Sequence, residues 1–479
     1  MPNPPRVFRA VSPILAVCLW AFASPCRAGP ESLSAMLERA RASEPTYMGA
    51  KMTVDAARAR TDQAFGALMP QVSGTANVNA NQRNYATRNS GTPALKDRYD
   101  SLAAQLSLTQ PLLRYANFEG MRQAREAALQ AEHQLAGAEQ ELLAKLVAAW
   151  FDVIASRDDV SFTLRQVEAT HRQWEVARRG SELGTSGLPQ VEETKAKYEQ
   201  AVADSIAAQT DGELKWAVLE QIVGALEDFT PPAMREDAIL ADLSGDTLDQ
   251  WLRAVDARNP GILAANQALE AAASEVRKQY GGHLPTLDLV ASYGQNSQSV
   301  GNFPGQNGYD IVTGTVGLQL NVPIFSGGTQ AAKVAEAVAL KEKARLDVEA
   351  ARRAARLATK QAWVGWRAAH ARTQAALQSV RAADAALLAA KRGVETGLKT
   401  ELDVLQAEQQ QASARRDLGR GRYDQVVAHV KMKAALGDLS VADVDSLDSL
   451  LVAPGGAKPA YPAPSADDAA LIHVQSAQP

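Results

Sequence analysis

A chain that repeats its own plan must fold as two copies of one unit, and this one does. Shifting the sequence by 215 positions lays Leu33, Leu37, Ala42, Pro45, Ala50, Ala56, Ala57, Gly66 and Pro70 on Leu248, Leu252, Ala257, Pro260, Ala265, Ala271, Ala272, Gly281 and Pro285. Nine identities over 38 gap-free positions exceed chance even in an alanine-rich chain, and such self-similarity outranks any local signal. Later landmarks keep nearly the same offset: Pro111 answers Pro323 at 212, and Arg179-Gly180 with Gly184 answers Arg392-Gly393 with Gly397 at 213. A length of 479 residues also suits two units better than one.

Each copy opens with a short amphipathic helix ending at Glu44-Pro45 or Asn259-Pro260, because the residue before proline is pushed out of helical geometry. A second, Ala-rich helix stops before Pro70 or Pro285. Strict alternation follows, the period of a strand with one apolar face. Val72, Ala76, Val78 and Ala80 alternate with Gln71, Ser73, Asn77 and Asn79, predicting a strand over about 71–81. Beyond a polar stretch from Asn81 to Arg98, Leu102, Leu106 and Leu108 alternate with Ala103, Gln105, Ser107 and Thr109, predicting a second over about 99–110. The other copy matches: Leu287, Leu289, Ala291 and Tyr293 fall in a strand at about 286–297. Val312, Val316, Leu318, Leu320 and Val322 fall in another at about 309–322. Gly301, Gly305 and Gly308 mark the loop between them.

From about 113 to 180, and again from about 329 to 393, proline and glycine almost vanish and strong helix formers dominate. At about 1.5 Å per residue, each of these helices reaches roughly 100 Å, far more than a compact domain needs. After a glycine-bearing turn each copy returns along a shorter helix, at about 190–226 and 401–436. The first repeat thus occupies 29–228 and the second 247–440. Between them lies a connector, 229–246, carrying Pro231-Pro232. The segment 441–479, most plainly from Ala453 onward, has the Pro/Ala/Gly/Ser composition of a disordered tail.

Residues 1–28 read as a secretory leader: Arg6 and Arg9, an apolar run from Val11 to Ala23, and a small-residue site at Ala28. Both cysteines, Cys18 and Cys26, would leave with it, which removes thiol chemistry. Pro25 and Ser24 ahead of Cys26 suit a lipid-attachment site poorly. Losing Arg6, Arg9 and Arg27 takes 50 basic and 54 acidic residues to 47 and 54, a formal charge of −7 that argues against a nucleic-acid partner. No later apolar run reaches the roughly 18 residues of a spanning helix, so a bilayer could be crossed only by a closed barrel. Four strands cannot close one without leaving unpaired edges. Several chains must therefore pool their strands. Two would make an eight-stranded barrel filled by its own side chains, whereas twelve or more strands leave a lumen. Leu and Val would then face lipid while Gln, Ser, Thr and Asn line water. A soluble sheet with one buried face gives the same alternation, but helices of this length do not pack over a small sheet.

The leader, the duplicated plan, the Asn259-Pro260 start and Leu284-Pro285 finish resemble the TolC family of outer-membrane factors. So do the Val322-Pro323-Ile324-Phe325-Ser326-Gly327-Gly328 exit and the Gly397-Leu398-Lys399-Thr400-Glu401-Leu402-Asp403-Val404-Leu405 turn, and the likeness runs from about Ser32 to Leu439. The resemblance implies an α+β membrane protein: a homotrimer whose twelve-stranded β-barrel, four strands per chain, continues into a long α-helical barrel across the periplasm. It implies an exit duct without catalysis or cofactor, set in outer-membrane lipid and docking to a periplasmic adaptor (a membrane fusion protein) and an inner-membrane ABC or proton-driven transporter. Type I secretion of a polypeptide is the preferred role, since the family's efflux members are frequently lipoproteins; efflux of drugs or metals is the alternative. A periplasmic coiled-coil adaptor or scaffold would share the long helices but not the paired amphipathic strands.

By the same resemblance, the constriction lies at the helix-turn-helix tips. Asp403 falls on an acid of the constricting ring, Gln406 where a second acid is common, Lys399 where a basic gating residue is common and Val394 where a tyrosine often sits. In the first copy Gln190 matches Asp403, so an acid is missing there as well. A ring of like carboxylates would attract cations. Asp403 reads equally well as a helix N-terminal acid favoured by the macrodipole. Gly180, Gly184, Gly393 and Gly397 read as turn formers where an adaptor docks. Trp150, Trp174, Trp216, Trp363 and Trp366 are expected between helices, and Tyr99, Tyr293 and Tyr309 are candidates for an interfacial girdle. The six histidines, His133, His171, His283, His370, His429 and His473, have no metal-ligand spacing.

Overall fold

A computed structural model describes residues 32–86, 88, 94–184, 187–226, 231–235, 247–301 and 307–452. The expected leader, most of the connector and everything after Val452 lie outside them. Ser32 caps α1 (Leu33–Ser43), its hydroxyl accepting from the amide of Ala35 at 3.2 Å. Glu44 is held extended ahead of Pro45, ending α1 and starting α2 (Pro45–Gly66). Then come β1 (Gln71–Tyr85), β2 (Leu95–Leu113), α3 (Tyr115–Glu182), α4 (Leu188–Val223) and a two-residue β3 (Ala233–Met234). The second copy follows the same order: α5 (Leu248–Arg258), α6 (Pro260–Gly281), β4 (Thr286–Gln298), β5 (Tyr309–Asn321), α7 (Thr329–Glu395) and α8 (Glu401–Leu436). It closes on α9 (Val441–Asp448) and β6 (Leu451–Val452).

The four long strands form one antiparallel sheet in the order β1-β2-β4-β5. Each strand adjoins one helix in sequence, and the helices keep the strand order: α3 packs on α2 and α6, and α6 on α7. Sheet and helices are one continuous curtain. Further along, α4 lies on α3 and α8 on both α7 and α3. With 68 and 67 residues, α3 and α7 are each roughly 100 Å long.

The first hairpin is longer than alternation predicts. Arg83, Asn84 and Tyr85 pair in register with Asp97, Lys96 and Leu95. Arg83 reaches Asp97 at 3.3 Å and lies 5.1 Å from the centroid of the Tyr99 ring. These residues are polar on both faces, so no period-2 pattern betrayed the strand. With 15 and 19 residues, β1 and β2 exceed the roughly 9–11 that a barrel strand needs to cross a bilayer.

The expected tail also begins too early. Ser440 and Asp443 form a capping box that starts α9, and Val444 and Leu447 are buried. Asp448 in turn accepts from the amides of Leu33 and Ser34, closing the start of α1, while β6 pairs with β3. Local capping and burial outweigh the composition of 441–452.

The core is a belt halfway along α3. Leu33, Met36, Leu37 and Ala40 of α1, spaced to share one helix face, meet Leu142, Leu146, Trp150 and Ile154 of α3. Leu219 and Val223 of α4, Tyr423, Val426 and Val430 of α8, and Val444 and Leu447 of α9 complete it. A smaller cluster in the second copy joins Trp363, Trp366 and Met432. Replacing Trp150 with alanine is expected to cost about 3–5 kcal/mol, read as a fall in the denaturant midpoint. Glu168→Ala, which breaks an exposed pair with Arg172, is expected to stay within about 0.5 kcal/mol of the parent.

Candidate functional site: the sheet faces and the helix tips

Register assigns every strand side chain to a face, because directly opposed residues in an antiparallel pair point the same way. One face carries Val72, Val78, Leu102, Leu106, Leu108, Leu289, Tyr293, Val312, Val316, Leu318 and Leu320. Among the described residues nothing covers it, and Val78 and Val316 are 79% and 78% exposed. The other face is hydroxyl- and amide-rich. Ser73 bonds Ser107 at 2.8 Å, Asn81 donates to Ser101 at 2.8 Å, and Ser292 bonds Thr315 at 2.7 Å. A water-soluble sheet would hide the first face; this one presents it to its surroundings, as a lipid-facing wall does. Of the three tyrosines expected in a girdle, only Tyr293 lies on the apolar face. Tyr99 and Tyr309 fall on the polar one, since their partners Asn81 and Gln298 do.

The sheet is open at both ends. Among the described residues one side of β1 and one of β5 lack a partner strand, leaving a row of amides and carbonyls at each edge. At its base the sheet is fastened to the tunnel helices. Arg114, the cap residue of α3, makes a forked ion pair with Asp288 of β4, at 2.8 Å through Nε and 2.5 Å through Nη2.

At the far end α3/α4 and α7/α8 each close in a tight turn. Gly184 and Gly397 take φ of +74° and +73°, the left-handed conformation that favours glycine. Gly180 and Gly393, expected as turn formers, are instead helical, because the helices run on to Glu182 and Glu395. The lack of a side chain at Gly393 has another use. A Cβ there would meet Cγ of Lys399 at 2.9 Å, and its carbonyl accepts from the amides of Leu398 and Lys399.

Asp403 is the third residue of α8 and its carboxylate is engaged. It accepts from the amide and the hydroxyl of Thr400, both at 2.8 Å, while the Thr400 hydroxyl accepts from the Asp403 amide at 3.3 Å. These bonds, with the nearby Lys399 charge, hold its carboxyl below the usual carboxylate range. Gln190 is the matching third residue of α4, where Gly187 supplies no side-chain cap. Gln190, Lys399 and Gln406 are exposed, and among the described residues no hydrogen bond joins one tip to the other.

Sequence reasoning missed a second link between hairpins. Tyr423 of α8 donates to Asp158 of α3 at 2.6 Å; burial, then the Asp158 charge, pushes its hydroxyl far above the phenol range. Beside it Arg420 and Arg416 approach Asp159 at 3.6 and 3.8 Å, and Arg416 lies 4.5 Å from the centroid of the Phe162 ring. Burial pushes the Asp159 carboxyl up against the pull of the two guanidinium groups. The doublet Asp158-Asp159 inside an otherwise mixed helix was the only sequence signal.

Comparison with known proteins agrees with this geometry. The family described as "Outer membrane efflux protein" matches residues 36–225 and 251–438, one span in each repeat. The chain is 26% identical over 415 residues to the outer membrane protein TolC of Vibrio cholerae, covering 86% of this chain and 92% of that one. It is 28% identical over 350 residues to the alkaline protease secretion protein AprF of Pseudomonas aeruginosa, covering 72% of each. Among solved structures, the outer membrane protein VceC of Vibrio cholerae superposes with a TM-score of 0.66 at 20% identity, over 85% of this chain and 96% of that one.

The two faces and the tip each give a measurable outcome. Val316→Arg, on the apolar face, is expected to cost about 2–4 kcal/mol of folding stability in lipid, whereas Thr313→Arg on the polar face leaves it nearly unchanged. Folding yield into vesicles checks both. At the tip, a carboxyl whose folded pKa is depressed stabilises above its unfolded pKa, and that contribution disappears as pH falls through the folded value. The amide of Thr400, which donates to that carboxylate, should therefore keep its protection factor against hydrogen exchange at neutral pH and lose it only below the ordinary carboxylate range.

Proposed function

Because the chain belongs to the outer membrane efflux protein family, the TolC family of outer-membrane channels rather than enzymes, we propose that it is the exit duct of a type I secretion system, passing a polypeptide. Three copies complete one another. Twelve strands close a barrel wide enough to keep a lumen, and the helical curtains close the tunnel beneath it. The carrying observation is the four-stranded sheet with one apolar face, one polar face and two open edges. In hydrocarbon an open edge leaves every outward amide and carbonyl unsatisfied, so association is obligatory.

In this reading 1–28 is the leader, 29–228 and 247–440 are the two repeats of the wall, and 229–246 joins them. Asp403, Lys399, Gln406 and Gln190 stand at the periplasmic constriction, where one acid per chain gives a weak cation ring. The turns at Gly184 and Gly397, with Gly180 and Gly393 just inside the helices, offer the docking surface for a periplasmic adaptor. That adaptor brings an inner-membrane ABC transporter, and docking untwists the inner hairpins. Preference for a polypeptide client rests on the likeness to an alkaline protease secretion protein. The family's own description, which names efflux, favours a second reading as the outlet of a proton-driven drug or metal pump.

Deleting the gene separates the two. A type I duct predicts that one or a few polypeptides disappear from the culture medium while tolerance to drugs and metals is unchanged. Lost tolerance with an unaltered secreted proteome would overturn the polypeptide reading. In either case the purified outer-membrane form is expected to run as a heat-resistant trimer.

A further inference from the structure

Beside the sheet, the two repeats of each chain meet where α3 and β2 face α6 and β4. The outer faces of α7 and β5, and of α2 and β1, are the same two surfaces displaced by the repeat, and among the described residues no element covers them. We infer that the seam between neighbouring copies reproduces the internal seam residue for residue, and that it is locked by an ion pair between Arg60 of one copy and Glu336 of the next. This rests on the trimeric reading above and assigns the surface that reading requires.

The glycines show the vacancy. Inside the chain a Cβ at Gly281 would meet Cδ1 of Tyr115 at 2.9 Å and the amide nitrogen of Ala116 at 3.1 Å, so glycine is what lets α3 start against α6. Its repeat counterpart, Gly66, keeps the same residue type with nothing within 4 Å. Packing demands glycine at the first site, and the second is a like-shaped seat without its occupant. The helix start that fits it is α7 of a neighbouring copy.

Charge gives the register. At the internal seam Lys278 donates to Gln123 at 3.3 Å and to Glu275 at 2.9 Å, and Gln123 also bonds Glu275. The shift of 215 places Arg60 where Glu275 stands. The long helices correspond at 213, as the tip glycines do, and as do Asn117, which bonds the end of α2, and Gln330, which bonds the end of α6. That shift places Glu336 where Gln123 stands. Arg60 and Glu336 are both exposed, and among the described residues neither has an ion pair within the chain. A polar contact inside the chain thus becomes an opposite-charge contact between chains. The strands agree: with Leu106 opposite Tyr293 and Leu108 opposite Ala291, the shift of 212 seen at Pro111 and Pro323 for β2, and of 215 for β4, set Leu318 against Val78 and Leu320 against Ala76. All four belong to the apolar face, so the cylinder closes without a side chain changing sides.

The test is oxidative cross-linking of the full-length protein in outer membranes, in a Cys18→Ser, Cys26→Ser background. Arg60→Cys with Glu336→Cys is expected to yield a covalent trimer on denaturing gels, and either single variant only monomer. Gln123→Cys with Glu275→Cys, the internal counterpart, is expected to give a monomer with an intrachain bond. Charge reversal gives a second readout: Arg60→Glu and Glu336→Arg each lower the heat resistance of the trimer, and the double variant restores it. A native trimer in which the thiols introduced at positions 60 and 336 stay unlinked, with no rescue in the double reversal, overturns this seam and leaves the trimeric duct standing. A native mass that is not trimeric overturns both.

Discussion

Hydrocarbon offers no partner for a backbone amide or carbonyl, and that single constraint organises this protein. A sheet with one apolar face can sit in lipid only if its edges are joined, and among the described residues of one chain the edges of β1 and β5 are unjoined. Association is therefore part of folding rather than an addition to it. The order of elements serves this end. Because each of the four strands adjoins its own helix and the helices keep the strand order, closing the sheet closes the helical curtain in the same step.

What holds a single copy together lies away from the lipid. The strands bury almost nothing of their own, and the apolar burial that stabilises the chain sits in the belt around Trp150, where α1, α4, α8 and α9 gather on α3. On one side of the belt Arg114 grips Asp288 at the neck, and toward the tips Tyr423 and the two arginines tie α8 to the acidic doublet of α3. The tips themselves are thin. Each is one hairpin closed by a single left-handed glycine, and among the described residues no hydrogen bond joins one tip to the other.

Much of this was legible because it is periodic. The repeat, the alternation at Val72–Ala80 and Val312–Val322, and the proline-free runs are one-dimensional signals of local physics. The second return helix spans Glu401–Leu436, where the turn motif placed it. What escaped depends on pairing across distance. The far end of the first hairpin is polar on both faces, so only its register with Asp97 and Lys96 reveals a strand. The residues after Ser440 were misread because composition hid a capping box that serves α1. Asp403 was readable as an acid near a turn, and the structure gives it one concrete task, capping α8 through Thr400. Its place in a ring depends on neighbours that a single chain does not contain. The link from Tyr423 to Asp158 joins residues 265 apart and has no local signature.

A channel of this design requires the two faces of the sheet to have different solvents. Cysteines placed singly along β5 in the assembled outer-membrane protein measure this directly, through their reaction with a charged, membrane-impermeant maleimide. Thr313→Cys, Thr315→Cys and Gln319→Cys are expected to react readily from the lumen, while Val312→Cys, Val316→Cys and Leu318→Cys stay unlabelled and are quenched instead by a lipid-borne probe. Equal labelling at alternate positions would contradict the channel, because a wall with one wet face and one in lipid cannot give it.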